Sequence, residues 1–420
     1  MSEWKRYKLG DLLRVKHGWA FKGEFFSETG IQSILTPGNF YESGGFKANA
    51  SKDRFYIGEY PKEYLCSKGD LIVAMTEQAA GLLGSTAIVP EDNRYLHNQR
   101  IGLISCNEYL NKDFAYYLFM TQTVRQQISR SASGTKVKHT SPEKIYEVQV
   151  YIPTIQTQSN IAKILTTLDN KIQINNQINQ ELEAIAKTLY DYWFVQFDFP
   201  DQNGKPHKSS GGKMVYNPEL KREIPEGWGV ETLKDFESKI ITGKTPSRAN
   251  SDNFGGEIPF ITIGDIRGNT FIYSTSETLT DLGASVQQNK YLPEGSLCVS
   301  CIATVGEIGF TTEWSHTNQQ INSIVFEDET NRYYLYFALK NYFENANASA
   351  KTGNTFANMN KEDFSGIRII LPRNEIKNNF HKITEPYFAQ IKCLQGQNQE
   401  LTQLRDWLLP MLMNGQVKVE

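Results

Sequence analysis

The side chains best placed to do chemistry fall into three sets. Gly243-Lys244-Thr245 has the tail of a phosphate-binding loop. Such a loop also needs an earlier glycine, with four residues between the two, to complete its cradle of backbone amides. Position 238 is Ser, so the cradle is incomplete and Lys244 reads as a cation beside a tight turn. Cys298 and Cys301 have the spacing of a metal or redox pair, but they sit in an apolar run, 297–302, that reads as a strand. Positions three apart in a strand point to opposite faces, and no second cysteine pair exists to complete a four-ligand site. They read as buried structural cysteines. The six histidines (17, 97, 139, 207, 316 and 381) show no metal-ligand spacing. The Asn/Asp-Pro-Pro-Tyr/Phe tetrapeptide with which an adenine methyltransferase holds its base does not occur, and no Ser/His/Asp set is locally recognisable.

What remains is binding chemistry, in loops that combine cations, amides and hydroxyls. In the first half these are Lys16, His17 and Lys22, then Arg100, then Arg130, Lys136, Lys138 and His139. In the second half they are Lys244 and Arg248, then Arg267, then Lys351, Asn354 and Asn358. Arg and Lys can contact phosphates or guanine, and Asn and Gln can pair with adenine through two hydrogen bonds. The stretches 131–140 and 350–358 are the preferred loops. The net charge of -3 gives no general basic footprint. Residues 1–153 hold 19 Lys+Arg against 16 Asp+Glu, a balance of +3, and residues 228–372 hold 11 against 17, a balance of -6. Binding to a polyanion must therefore rest on local patches or on partner subunits.

The elements that position these loops are repeated. Trp4 to Leu12 answers to Trp228 to Phe236. The stretch 65–71 answers to 292–297, His97-Asn98-Gln99-Arg100-Ile101 to Thr317-Asn318-Gln319-Gln320-Ile321, and 133–135 to 351–355. Each half closes its globular part on an apolar run and a proline, Pro153 and Pro372. Short Val/Ile/Phe/Tyr runs between Gly, Asn, Asp and Pro predict mainly β domains, with a helix over 111–129 and its counterpart over 331–346.

After each proline the apolar period changes to that of a coiled coil. The first stripe is Ile161, Ile164, Leu165, Leu168, Ile172, Leu182, Ile185 and Leu189; the second is Phe380, Ile383, Tyr387, Ile391, Leu394, Leu401, Leu404 and Leu408. Asn179 and Asn398, at matching positions, read as seam residues that fix register. Pro386 predicts a kink near the start of the second helix, or its true beginning. A helix over 154–196 is about 65 Å long, and the two stripes bury most simply against each other as an antiparallel pair with the domains at opposite ends. Residues 200–227 read as a flexible connector. The resulting expectation is an α+β chain: two mostly β domains (1–153 and 228–372), each followed by a long helix (154–199 and 373–420). No signal peptide or membrane span is visible, and five cysteines suit a cytoplasmic protein.

This arrangement resembles the specificity subunit of type I restriction–modification systems. The resemblance rests on Trp4 with Leu9-Gly10-Asp11, on Gly243-Lys244-Thr245-Pro246-Ser247, on Ile152-Pro153 and Leu371-Pro372 before each helix, and on Leu189-Tyr190-Asp191-Tyr192-Trp193-Phe194-Val195-Gln196-Phe197-Asp198-Phe199-Pro200. It covers the whole chain. It implies two target-recognition domains, each reading one half of a bipartite asymmetric site on double-stranded DNA. It implies helical spacers that set the gap and dock two methyltransferase subunits, with restriction subunits added to these. It implies no catalysis and no cofactor in this chain, with S-adenosylmethionine, Mg and ATP on the partners. The opening loops differ, His17-Gly18-Trp19-Ala20-Phe21-Lys22 against Thr242-Gly243-Lys244-Thr245-Pro246-Ser247, and only the glycine aligns. The competing reading is a coiled-coil scaffold whose β domains bind protein or sugar.

Overall fold

The computed structural model describes residues 4–48, 53–77, 79–134, 137–350 and 358–419. The chain folds into two compact units, one of residues 1–170 with 401–420, the other of residues 171–400.

In the first unit the strands Leu13–His17, Ile101–Cys106, Leu71–Ala74 and Thr86–Ile88 form, in that order, an antiparallel sheet. Both faces are covered, so Leu71–Ala74 is apolar without alternation. Leu71, Val73 and Ile104 join one core cluster, and Ile72, Ala74 and Ile101 join another. The predicted helix over 111–129 is two helices, Lys112–Met120 and Gln122–Ser131. The break falls at Thr121, whose hydroxyl accepts from the Val124 amide and caps the second helix. The strands Lys5–Lys8 and Gln149–Ile152 pair and bring both ends of the domain together before the first long helix.

The second unit repeats the plan. Its central sheet has the order Ile240–Thr242, Ile321–Ile324, Leu297–Ser300, Ile308–Thr311, Phe271–Ile272. Gly229–Thr232 pairs with Arg368–Leu371 as the closing ribbon. The matched stretches at 65–71 and 292–297 turn through Gly69 (φ +87°) and Gly295 (φ +77°). Their amides donate to the carbonyls of Val89 and Thr311, each at 2.9 Å. A side chain would strain both turns. Cys298 and Cys301 are buried in different core clusters, but the strand is shorter than the run 297–302 and Cys301 lies just past its end at Ser300.

Two long helices, Ile155–Tyr190 and Asn374–Met413, follow the two domains. The first ends in a π-helical turn, Asp191–Val195, that buries Trp193 and Phe194. In the second unit the helices run antiparallel. Tyr190 lies 6.2 Å from Phe380, ring to ring, and Asn175 donates to Asn398 at 2.9 Å. In the first unit Arg405 pairs with Asp169 at 2.9 Å, and Tyr117 donates to the same carboxylate at 2.6 Å.

Several sequence expectations change here. Ile185, Ile383 and Leu404 are 52%, 41% and 42% exposed. Ala186, Thr384 and Phe388 are the buried positions beside them, and Phe388 packs on Phe310, Tyr333 and Tyr336 of the second domain rather than across a helix seam. Asn398 bonds Asn175 and Asn176, while the Asn179 side chain is buried without a hydrogen bond. The second long helix starts at Asn374 and runs through Pro386, which lies on its exposed side. There the carbonyl left free by the missing amide can be hydrated. Residues 200–227 are folded, not a flexible connector. Asp198 accepts from the Ser209 amide and hydroxyl, Phe199 stacks between His207 and Trp228 at 4.6 and 5.0 Å, and Met214–Asn217 forms a hairpin with Arg222–Pro225.

Candidate nucleic-acid interface

Strand register brings the predicted loops to one end of each central sheet. In the first unit His17 pairs with Gly102 and Ala74 with Ile101. The loop after His17, the turn before Ile101 and the hairpin after Ala74 are therefore neighbours. Thr140 joins them, since Arg100 O accepts from the Met75 amide (3.0 Å) and Met75 O accepts from the Thr140 amide (3.0 Å). In the second unit Thr242 pairs with Asn322 and Ser300 with Ile321. Gln320 O accepts from the Cys301 amide (2.8 Å), and Cys301 O from the Met359 amide (2.7 Å). The same four-part edge is built twice.

At the centre of each edge is a glycine against an asparagine. A Cβ on Gly18 would lie 2.0 Å from the Asn98 carbonyl oxygen, and one on Gly243 would lie 2.2 Å from that of Asn318. This close approach is why the glycine is the one residue common to the two opening loops. The neighbouring amides lock the contact: Trp19 N donates to His97 O at 2.9 Å, and Lys244 N to Thr317 O at 3.0 Å.

Around the first edge, His17, Lys22 and Arg100 are exposed. Lys16 turns away; its ammonium sits 4.3 Å over the Tyr64 ring and 3.6 Å from Glu63. Arg130 is exposed in the last turn of its helix. Lys138 donates to Ser129 (3.1 Å), and the His139 ring meets the Thr76 hydroxyl (3.1 Å). Lys136, Lys351 and Asn354 lie outside the described residues.

Around the second edge the arginines are already engaged. Arg248 grips Glu277 through two bonds of 2.8 and 2.7 Å, and the guanidinium holds that carboxyl below its ordinary range. Arg267 bonds Glu307 at 3.1 Å and Thr304 at 3.2 Å. Lys244 is exposed, and Asn358 (φ +42°) accepts from the Ala303 amide at 3.4 Å. The acidic balance of this half is thus placed beside its cations. Burial pushes the imidazoles of His97, just past the strand Tyr95–Leu96, and of His316, in the strand His316–Thr317, down to about 4. They act as neutral core groups. Among the described residues no group of His, Cys, Asp and Glu is arranged to hold a metal ion.

Sequence reasoning missed two parts of each edge. One is the hairpin loop 75–85, with its counterpart 301–307. Its glycines between apolar strands (Gly81 and Gly84, and Gly306) were the available signal. The other is the Asn-Gln turn itself, used only as a mark of the repeat.

The family model described as the type I restriction modification DNA specificity domain matches residues 1–184 and again 225–403. The HindI specificity subunit of a type I restriction enzyme from Haemophilus influenzae is 31% identical, over 99% of this chain and 100% of that one. The MjaIX specificity subunit from Methanocaldococcus jannaschii is 27% identical, over 73% of this chain and 69% of that one. The crystal structure of a type I restriction–modification S subunit from M. genitalium has the same fold, with TM-score 0.54 over 98% of this chain and 96% of that one, at 14% identity.

Proposed function

This chain belongs to the family of type I restriction–modification specificity subunits, and we propose that each of its two sheet edges reads one half of a bipartite, asymmetric site on double-stranded DNA. The observation that carries the reading is the edge built twice on one backbone plan with unlike side chains, Gly18 with Asn98 and Gly243 with Asn318. One scaffold with two side-chain sets suits one molecule reading two different sequences, because base identity is read by side chains and phosphate contacts only position the reader.

The chain binds and positions, and catalysis falls to its partners. Two methyltransferase subunits carry S-adenosylmethionine and modify adenine, and restriction subunits carry Mg and ATP. The partner surface is the row left outside the helical seam. Ile178 and Ile185 of the first long helix and Tyr192 of the π-helical turn that ends it, seven residues apart in sequence, are 38%, 52% and 38% exposed, and Ile383 of the second helix is 41% exposed. Apolar residues at heptad spacing fit an amphipathic helix from a methyltransferase subunit.

The test is selection from a random duplex pool by the purified complex of this chain with its methyltransferase. The reading expects enrichment of two short unlike elements at fixed separation. Enrichment of a single continuous element, or of none, would contradict it.

A further inference from the structure

The four-residue turn at the centre of each edge assigns individual bases to individual residues. Asn98-Gln99-Arg100-Ile101 and Asn318-Gln319-Gln320-Ile321 are β-turns closed by Ile101 N to Asn98 O (2.9 Å) and Ile321 N to Asn318 O (3.3 Å). In each the asparagine side chain also accepts from the third residue's amide, Arg100 N at 3.2 Å and Gln320 N at 3.0 Å. Each third residue's carbonyl accepts from the amide just past the neighbouring strand, Met75 or Cys301. The glycine beneath locks the turn from the other side. Backbone, asparagine and following glutamine are common to both turns, and the third side chain differs. A rigid mount with one exchanged side chain is what direct base reading needs, since pairing geometry tolerates little displacement.

The chemistry of the exchange is specific. Arg pairs with the two acceptors of guanine and Gln with the acceptor and donor of adenine, both in the major groove. Arg100 is exposed and makes no ion pair among the described residues, whereas Arg248 and Arg267 are held by Glu277 and Glu307. Asn318 donates to the Gln320 side-chain oxygen at 3.2 Å, which orients that amide. Resting on the proposed DNA-reading role, we propose that Arg100 reads a guanine in the half-site of the first unit and that Gln320 reads an adenine in the half-site of the second.

The experiment is single-molecule methylation mapping with the full chain and its methyltransferase, for wild type, Arg100→Gln, Arg100→Lys and Gln320→Arg. Arg100→Gln is expected to shift one position of one half-site from guanine toward adenine, by roughly ten- to hundred-fold in relative methylation, leaving the other half and the gap unchanged. Gln320→Arg is expected to make the opposite shift in the other half, so the assignment stays testable if one variant fails to assemble. Arg100→Lys keeps a cation that can donate to guanine and should hold that position on guanine at reduced preference, whereas an Arg100→Gln complex that keeps guanine at full preference would place Arg100 on a phosphate and overturn the assignment. A wild-type split motif that both exchanges leave untouched overturns the assignment alone. A wild-type complex that gives no split motif overturns the DNA-reading role with it.

Discussion

Gly18 and Gly243 each lie under an asparagine carbonyl, with no room for even a methyl group. Gly18→Ala or Gly243→Ala is predicted to cost about 1–3 kcal/mol, the range for forcing atoms into a packed site, because the obstruction is backbone rather than a movable side chain. A urea midpoint unchanged from wild type would refute this. The buried imidazoles give a second prediction. Their pKa in the folded chain, about 4, lies below the ordinary 6.5. The unfolded chain therefore binds more protons between these values. The stability held by neutral His97 and His316 is whole above about pH 6.5 and is lost as the pH falls toward 4. Wild type should lose stability over that window more steeply than a His97→Gln, His316→Gln variant; equal slopes would contradict the account. At this scale the sequence marked the aligned glycine and the Asn-Gln stretch as repeated. It gave no sign that Arg248 and Arg267 find carboxylates 29 and 40 residues away in the chain, because such pairing depends on tertiary placement.

The elements follow the hydrophobic pattern where burial is two-sided or strongly periodic. Leu71–Ala74 is apolar throughout, Leu297–Ser300 is apolar up to its closing serine, and both lie buried inside their sheets, so both were legible. The helices were legible as helices, and their contact faces were not. A seven-residue stripe identifies a seam only to within a turn, and Ile185, Ile383 and Leu404 fell on the wrong side of it. Pro386 read as a boundary because the pattern cannot say which side of a helix faces water. The misplaced positions mark the proposed partner surface. Ile185→Glu with Ile383→Glu is predicted to abolish co-purification of the methyltransferase while leaving the melting temperature of the chain nearly unchanged, since both side chains are already exposed. Retained co-purification would remove this surface from the account, and a collapse in melting temperature would show that it belongs to the core.

At the scale of the molecule, the duplication was readable from matches 219 to 224 residues apart. The division into compact units was not, because the first unit takes residues 401–420 from the far end of the chain. A stripe announces that a helix needs a partner but not where along its length each partner's contribution falls. The duplication also predicts that residues 1–196 alone, with methyltransferase present, pair with a second copy and direct methylation to a symmetric site. A fragment that stays monomeric under those conditions would count against this. The central claim, that one chain carries two different readers, is tested most directly in cells. DNA would be mapped for methyladenine at single-molecule resolution from cells expressing the chain with its methyltransferase, and from cells lacking the chain. The account predicts a motif present only with the chain, made of two unlike halves at a fixed gap with methyladenine on both strands. No motif difference, with the methyltransferase shown to be expressed and active, would contradict it.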